Sequence, residues 1–457
     1  MMKKLLIFTA LMLAAVFVQA QWTSQYTGAT TAYRAANYIK AVDANTVWLT
    51  FYDGANTVNP APAMQEYGKT TNGGTTWTAG AITNATGHTP SMIWPIDGTT
   101  AYVPMYGSVG GKIMKTTDGG TTWAATLPNA TLTTAFQNSA SFPNICVFFN
   151  ANDGMVMGDP VSSEYEIYTT ADGGTTWTAV PGANIPNPAS GSEYGYTGVY
   201  SVVNDTVWFG TNTSAIYKSV DKGLNWTKHT TGLTEINEIH MANGSYGIAA
   251  FSNQTLGNFD MKFTTDGGLT WTTLTPTSPN PNGTFGNGLC HVPGTARTFV
   301  NTGADYSAPN MGAAYSIDGG LTWEYLFTDY MTTQFLDVDF VDASTGWAGS
   351  FVNAAGADSG IFKFTGGSVA APWNLPSNEE LITVFPNPTS GVVYVNVNNP
   401  QASVVSVNVY DLLGNVVFTT KESNMFFNFN LGSLQKGLYL VEVTSGSTVQ
   451  KSKIMVQ

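Results

Sequence analysis

Charge is scarce in this chain. Only 10% of residues are Asp, Glu, Lys or Arg, and the balance is acidic, with a net charge of −13. There are two arginines, Arg34 and Arg297. A basic stripe that could follow a phosphate backbone cannot be built from this inventory, so nucleic acid is excluded as a partner. Histidine is equally thin: His88, His229, His240 and His291 are scattered without metal-ligand spacing. Phosphate-loop and dinucleotide fingerprints are missing, as is a Gly-x-Ser-x-Gly nucleophile elbow. No metal, cofactor or catalytic residue is therefore expected. Cys146 and Cys290 are the only cysteines. The repeat register below sets them nearly across a ring, while a disulfide needs Cα atoms within about 7 Å. Two separate buried thiols are the expectation. Beyond the first twenty residues no apolar run is long enough to span a bilayer.

What the chain has in abundance is Gly, Thr, Asn and aromatics, the composition of an all-β protein with short strands. One pattern dominates: Ser/Thr, any, Asp, any, Gly, any, Thr, Trp. Its clearest copy is Thr116-Thr117-Asp118-Gly119-Gly120-Thr121-Thr122-Trp123. Six copies end at Trp77, Trp123, Trp177, Trp226, Trp271 and Trp323, spaced 45 to 54 residues apart. A β-rich repeat of about 50 residues reads as a propeller, one four-stranded blade per repeat. Upstream of each box lie an apolar strand, a tight turn, a second strand, then a third running into the box. In blade four these are Gly198–Val202, the turn Asn204-Asp205, Thr206–Gly210 and Ala215–Lys218.

A seventh repeat has three strands, around Leu336–Val341, Gly346–Gly349 and Gly360–Phe364, but no box. The segment beginning Trp22-Thr23-Ser24 resembles the strand that opens with each box Trp. It is expected to complete the seventh blade and close the ring, which removes exposed sheet edges.

Within a box the carboxylates of Asp118, Asp172, Asp221, Asp266 and Asp318 can accept N–H groups of their own turn, as can Asn72 in the first copy. Gly at the fifth position tolerates positive φ. The Trp ring fills the blade and keeps one N–H donor for a backbone carbonyl. One carboxylate per turn is far short of a calcium shell of six to eight oxygens. The box therefore reads as a self-satisfied hairpin clamp.

These copies resemble Asp-box (BNR) repeats, found in sialidases, xyloglucanase-type glycoside hydrolases, sortilin-like receptors and photosystem assembly-factor-like propellers. Blade three, with Gly154 to Pro160 ahead of its box, looks most like the assembly-factor group. The resemblance implies a fold and not an activity. A sialidase arginine triad cannot be assembled from two arginines. A hydrolase would need two convergent carboxylates, and Glu66, Asp159, Glu164, Glu193, Glu235, Glu238, Asp305, Asp329, Asp337 and Asp339 lie outside the boxes.

Both ends of the chain carry addresses. Lys3-Lys4, the apolar run Leu5 to Val18, and Val18-Gln19-Ala20 form a signal peptide with cleavage between Ala20 and Gln21. The last module opens with Phe385-Pro386-Asn387-Pro388. It continues through Asp411-Leu412-Leu413-Gly414-Asn415 and Gly437-Leu438-Tyr439, and ends around Lys453. It resembles the type A C-terminal sorting domain of the type IX (Por) secretion system. That implies a Bacteroidota-type bacterium, passage through the periplasm, the type IX machinery as partner, and release or attachment at the outer surface.

The expected organisation is a signal peptide at 1–20, a seven-bladed propeller at 21–365, a linker at 366–383 and a small β-sandwich sorting domain at 384–457. The expected function is a secreted or surface-displayed binding protein for a glycan or protein ligand. The alternative is a secreted glycoside hydrolase with a carboxylate pair at the propeller mouth.

Overall fold

The computed structural model describes residues 22–55, 63–108, 110–138, 141–253, 258–278, 284–304, 311–326, 333–351, 360–369, 382–385, 387–397, 404–422, 426–446 and 448–457. Ala20, Gln21, Pro386, Asp305 and Asp329 lie outside the described residues. Those described are almost entirely β, with one short 3-10 turn at Gly182–Asn184. None of the described residues forms a helix long and apolar enough to cross a membrane.

Among the described residues, seven antiparallel sheets stand in a ring, with their innermost strands packed side by side. The alternation read from the sequence places the strands well. Blade four uses Gly195–Val203, Thr206–Thr211, Ala215–Ser219 and Thr227–Thr230. Its second strand is buried on both faces, because blades cover it on each side. Trp48, Trp208 and Trp347, all fully buried, occupy equivalent second-strand positions in blades one, four and seven.

Antiparallel pairing fixes two faces on the ring. Connections between strands one and two, and between three and four, lie at one end; all six boxes sit in the three-to-four connections. Connections between strands two and three, and from strand four into the next blade, lie at the other end. Segment 181–196 and the described ends of the segments around 53–68 and 303–313 fall at this second, entry face.

Trp22–Tyr26 pairs antiparallel with Gly360–Phe364 as the outer strand of blade seven, Trp22 opposite Phe364. The Trp22 ring is 3% exposed and meets Phe335, Phe340 and Phe364 at centroid distances of 5.3, 6.0 and 5.4 Å. Gln25 then reaches into blade one, where its Oε1 accepts the Nε1–H of the box residue Trp77 at 3.1 Å. A second seam lies at the inner strands. Asp337 Oδ2 accepts the Ile39 N–H at 2.7 Å, and Asp339 Oδ2 accepts the Ala41 N–H and the Lys40 ammonium, each at 2.9 Å. Inner-edge N–H groups that no neighbouring strand can pair are thus satisfied by carboxylates from the last blade.

The C-terminal module has two sheets around a valine-rich core. One joins Ile382–Phe385, Val392–Val397 and Phe426–Asn430; the other joins Val416–Glu422, Val405–Tyr410, Gly437–Ser445 and Thr448–Val456. The described ends of the expected linker are part of folded units. Val369 is fully buried in the blade-seven cluster and donates its N–H to Ala343 O. Residues 382–383 already pair with Asn396 and Val397.

Replacing Trp22 with Ala removes a buried indole from the closing strand, at a cost of about 3–5 kcal/mol. The expected result is a lower Tm together with faster amide exchange across Gly360–Phe364. A Tm unchanged from wild type would show that this strand does not hold the ring shut.

Candidate functional site

The boxes come first, because they decide which face is left for a ligand. In the second box Thr116 Oγ1 donates to Asp118 Oδ1 at 2.9 Å and accepts the Gly120 N–H at 2.9 Å. Asp118 accepts the Thr122 N–H on Oδ1 at 2.9 Å and the Thr122 hydroxyl on Oδ2 at 2.6 Å. Asp172, Asp266 and Asp318 repeat the pattern, and Asp221 does so with Asn225 in place of the Thr. The Thr176 hydroxyl and N–H hold the Asp172 carboxyl down to about 2. In the first box Asn72 Oδ1 takes the Thr76 N–H at 2.9 Å, while its Nδ2 donates to Thr76 Oγ1 at 2.8 Å. The hydroxyl reverses its role, so the amide serves as well as the acid.

Two features of the box were not read from the sequence. The fourth position is left-handed as well as the fifth, with φ of 74° at Gly119 and 92° at Gly120, and Lys222 adopts φ 62° at the fourth position of its box. The carbonyl this exposes is claimed by the preceding blade. Lys69 reaches Gly119 O at 2.9 Å, Lys115 reaches Gly173 O at 2.7 Å and Lys363 reaches Gly73 O at 2.8 Å. Tyr102, Trp208 and Tyr246 donate to Gly173, Gly267 and Gly319 at 2.6, 2.9 and 2.6 Å. The lysines lie over the rings of Trp48, Tyr102 and Trp347. At the joint between blades three and four the contact is instead Lys222 with Asp153 at 2.6 Å.

The box indoles divide. Trp226, Trp271 and Trp323 donate to the fifth-position carbonyl of their own box at 2.8, 3.1 and 2.9 Å. Trp77 uses the Gln25 side chain, and the N–H groups of Trp123 and Trp177 are buried with no hydrogen-bond partner among the described residues. The expectation of a backbone carbonyl for every box Trp is corrected for these three.

The central channel holds a cavity of about 560 Å3 lined by inner strands, including Lys40, Glu238, His240, His291, Asp337 and Asp339. Its carboxylates serve the frame: Asp337 and Asp339 close the ring, and Glu238 contacts His240 Nε2 at 2.8 Å. Burial raises Asp337 to about 8 and lowers His240 and His291 to about 4. Cys146 and Cys290 are free, buried and on inner strands of blades three and six, with burial pushing both thiols up.

On the entry face two clefts open between blades. One, of about 730 Å3 beside blades one and two, contains Arg34 held between Asp53 and Glu66 at 2.9 Å each. The other, of about 440 Å3, is bordered by blades two, three and four. Tyr106 and Phe142 form an edge-to-face pair on one side, and Tyr194 and Tyr196 form another, with centroids 5.5 and 5.6 Å apart. Tyr194 is 41% exposed. Two carboxylates line this cleft, and they differ. Glu193 is saturated by the Lys228 ammonium, the Tyr217 hydroxyl and the Ala189 N–H, at 3.0, 2.8 and 3.0 Å. Asp159 takes both of its bonds on Oδ1, from Asn144 Nδ2 at 2.5 Å and Gly195 N at 3.1 Å. Burial lifts Asp159 to about 7, against the lowering effect of those two bonds.

The remaining sequence candidates are placed as follows. Glu235 accepts the Tyr196 hydroxyl, and Glu164 is exposed. In the C-terminal module Asp411 Oδ1 accepts the N–H of Leu413 and Asn415, and Gly414 has φ 86°, so the turn is an Asx-type turn. Asn387 bridges to the last strand through Lys453 O at 2.8 Å and Met455 N at 2.9 Å. Pro388 follows it, Gly437 pairs with Val456, and the Tyr439 hydroxyl donates to Gln435 O at 2.8 Å.

With Asp337 raised, its proton stabilises the fold below about pH 4 and that contribution is lost as pH rises through about 8. Tm should therefore fall from about pH 4 to about pH 8 and level off above that, and Asp337→Asn should reduce that fall. An identical pH profile for wild type and variant would exclude Asp337 as its source.

Residues 383–457 match the family of secretion system C-terminal sorting domains, and residues 107–286 match the photosynthesis system II assembly factor YCF48 family. Among solved structures, a YCF48 bound to a D1 peptide covers 77% of this chain and 97% of its own, at 15% identity and TM-score 0.53. YCF48 from Cyanidioschyzon merolae covers 76% and 99%, at 17% identity and TM-score 0.51. A GH74 enzyme of Niastella koreensis covers 92% and 66%, at 16% identity and TM-score 0.44. No curated protein matches the chain. Identities this low speak for the β-propeller fold alone, and the sorting-domain match marks the chain for export by the type IX system to the cell surface or medium.

Proposed function

We propose that this β-propeller, exported under its type IX sorting domain, is a binding protein that offers its entry face to an extracellular glycan or protein ligand and performs no catalysis there. The carrying observation is the contrast between the two carboxylates of the aromatic cleft. Glycoside hydrolysis needs a pair, one acid and one base or nucleophile, both free to reach the substrate. Glu193 is closed off by Lys228, Tyr217 and Ala189, which leaves Asp159 as a single acceptor. Single polar groups among aromatic rings suit recognition. The Asp-box face is taken up by ties between blades, so the entry face is the one with room for a partner.

Two measurements test the reading. The full chain and Tyr194→Ala are applied to a glycan and polysaccharide array and to envelope proteins of the host cell, with released reducing sugar assayed in parallel. Binding that weakens about tenfold or more in Tyr194→Ala, without product, is expected; release of reducing sugar would make the protein a hydrolase instead. For the address, deletion of residues 384–457 should retain the product inside the outer membrane. Undiminished export of the truncated chain would refute the sorting role.

A further inference from the structure

We propose that the cleft between blades two, three and four receives an organic cation, an ammonium or guanidinium group carried by a basic side chain or by an amino sugar. The inference rests on the reading of this cleft as the binding site and names the chemistry of its ligand.

Three observations converge. The first is the carboxylate. Asp159 is 8% exposed, yet among the described residues its Oδ2 takes no hydrogen bond and no lysine or arginine pairs with it. A buried carboxylate without a counter-ion is costly unless a partner arrives. The one cation nearby, Lys228, is committed to Glu193 at 3.0 Å. The second is the set of rings. Two edge-to-face aromatic pairs border the same 440 Å3 space, and aromatic faces attract ammonium and guanidinium groups. The third is the field. A net charge of −13 steers cations and repels anions. A neutral sugar would stack on the rings and donate a hydroxyl, but it would leave the missing positive charge unsupplied.

The groups around Asp159 make its titration interpretable. Tyr106 faces the cleft from blade two and Tyr165 approaches from blade three. Glu193 with Lys228, and Tyr194 and Tyr196 with Glu235, come from the connection into blade four and its neighbour. Burial holds Tyr165 and Tyr196 protonated throughout the neutral range, so Asp159, at about 7, is the group whose charge changes there. A bound cation stabilises the ionised carboxylate, so affinity should rise with pH across that value.

The test is calorimetric titration of the full-length chain with N-acetyl-arginine methylamide, N-acetyl-lysine methylamide and glucosamine tetramer. Nα,Nε-diacetyl-lysine methylamide and N-acetylglucosamine tetramer serve as neutral counterparts. The cations should bind at least about tenfold more tightly than their acetylated forms. The arginine compound, whose own charge is constant, should weaken about thirtyfold from pH 8 to pH 5.5. Asp159→Asn should remove both the preference and the pH dependence. Tyr194→Ala, a change at an exposed ring, should weaken every cleft ligand and serves as the decisive variant should Asp159→Asn fail to fold. The tighter of the amino acid and amino sugar probes identifies the source. Equal affinity for charged and acetylated probes, both weakened by Tyr194→Ala, would overturn the cation inference and leave the cleft as a binding site. Binding indifferent to both substitutions would overturn the two together. Failure of every cation to bind, while a neutral glycan does, would overturn the inference alone.

Discussion

A left-handed backbone at the fourth box residue turns one carbonyl out of blades one, two, three, five and six toward the blade before it. Lysines and ring donors of that preceding blade close on it, at Gly73, Gly119, Gly173, Gly267 and Gly319. Stacked sheets otherwise meet through side chains, and apolar contact sets distance more than angle. A directional bond between rigid turns supplies the missing angular constraint. It also explains the economy of the box: the Asp or Asn must be consumed within the turn so that the turn is stiff enough to hold its carbonyl in place.

Few charges are available, and most of those described in the propeller serve the frame. Lys69, Lys115 and Lys363 lie on aromatic rings and cap carbonyls; Asp337 and Asp339 satisfy the inner edge of blade one; Arg34 locks Asp53 to Glu66. Buried charged groups are tolerable when each has such partners. Against this background Asp159, with one oxygen unused beside four aromatic rings, stands out as a group the frame does not need.

The division of labour between faces follows from connectivity. Three-to-four connections carry the boxes and are short and self-bonded. The connections at the other end vary in length and composition without disturbing the ring, and the aromatic cleft is assembled there from three blades. A ligand face is thereby free to change while the fold persists.

Much of this was legible in the residues themselves. Box spacing, strand alternation in blade four and the sorting landmarks are local patterns, and local hydrogen bonding or side-chain periodicity writes them directly into the chain. Phe385 to Pro388 and the Asp411 turn belong to the same class. The pairing partners of Lys69, Asp337 and Gln25 were not legible, because each joins residues from different blades. The cleft was less legible still: Tyr106, Phe142, Asp159 and Tyr194 come from three repeats and carry no motif. The sequence alone determined the repeat, the turn chemistry and the address, since those depend on neighbours along the chain. The tertiary structure alone decided which carboxylates became struts and that buried Asp159 kept an unused oxygen, since desolvation and partnership arise only when the blades close around them.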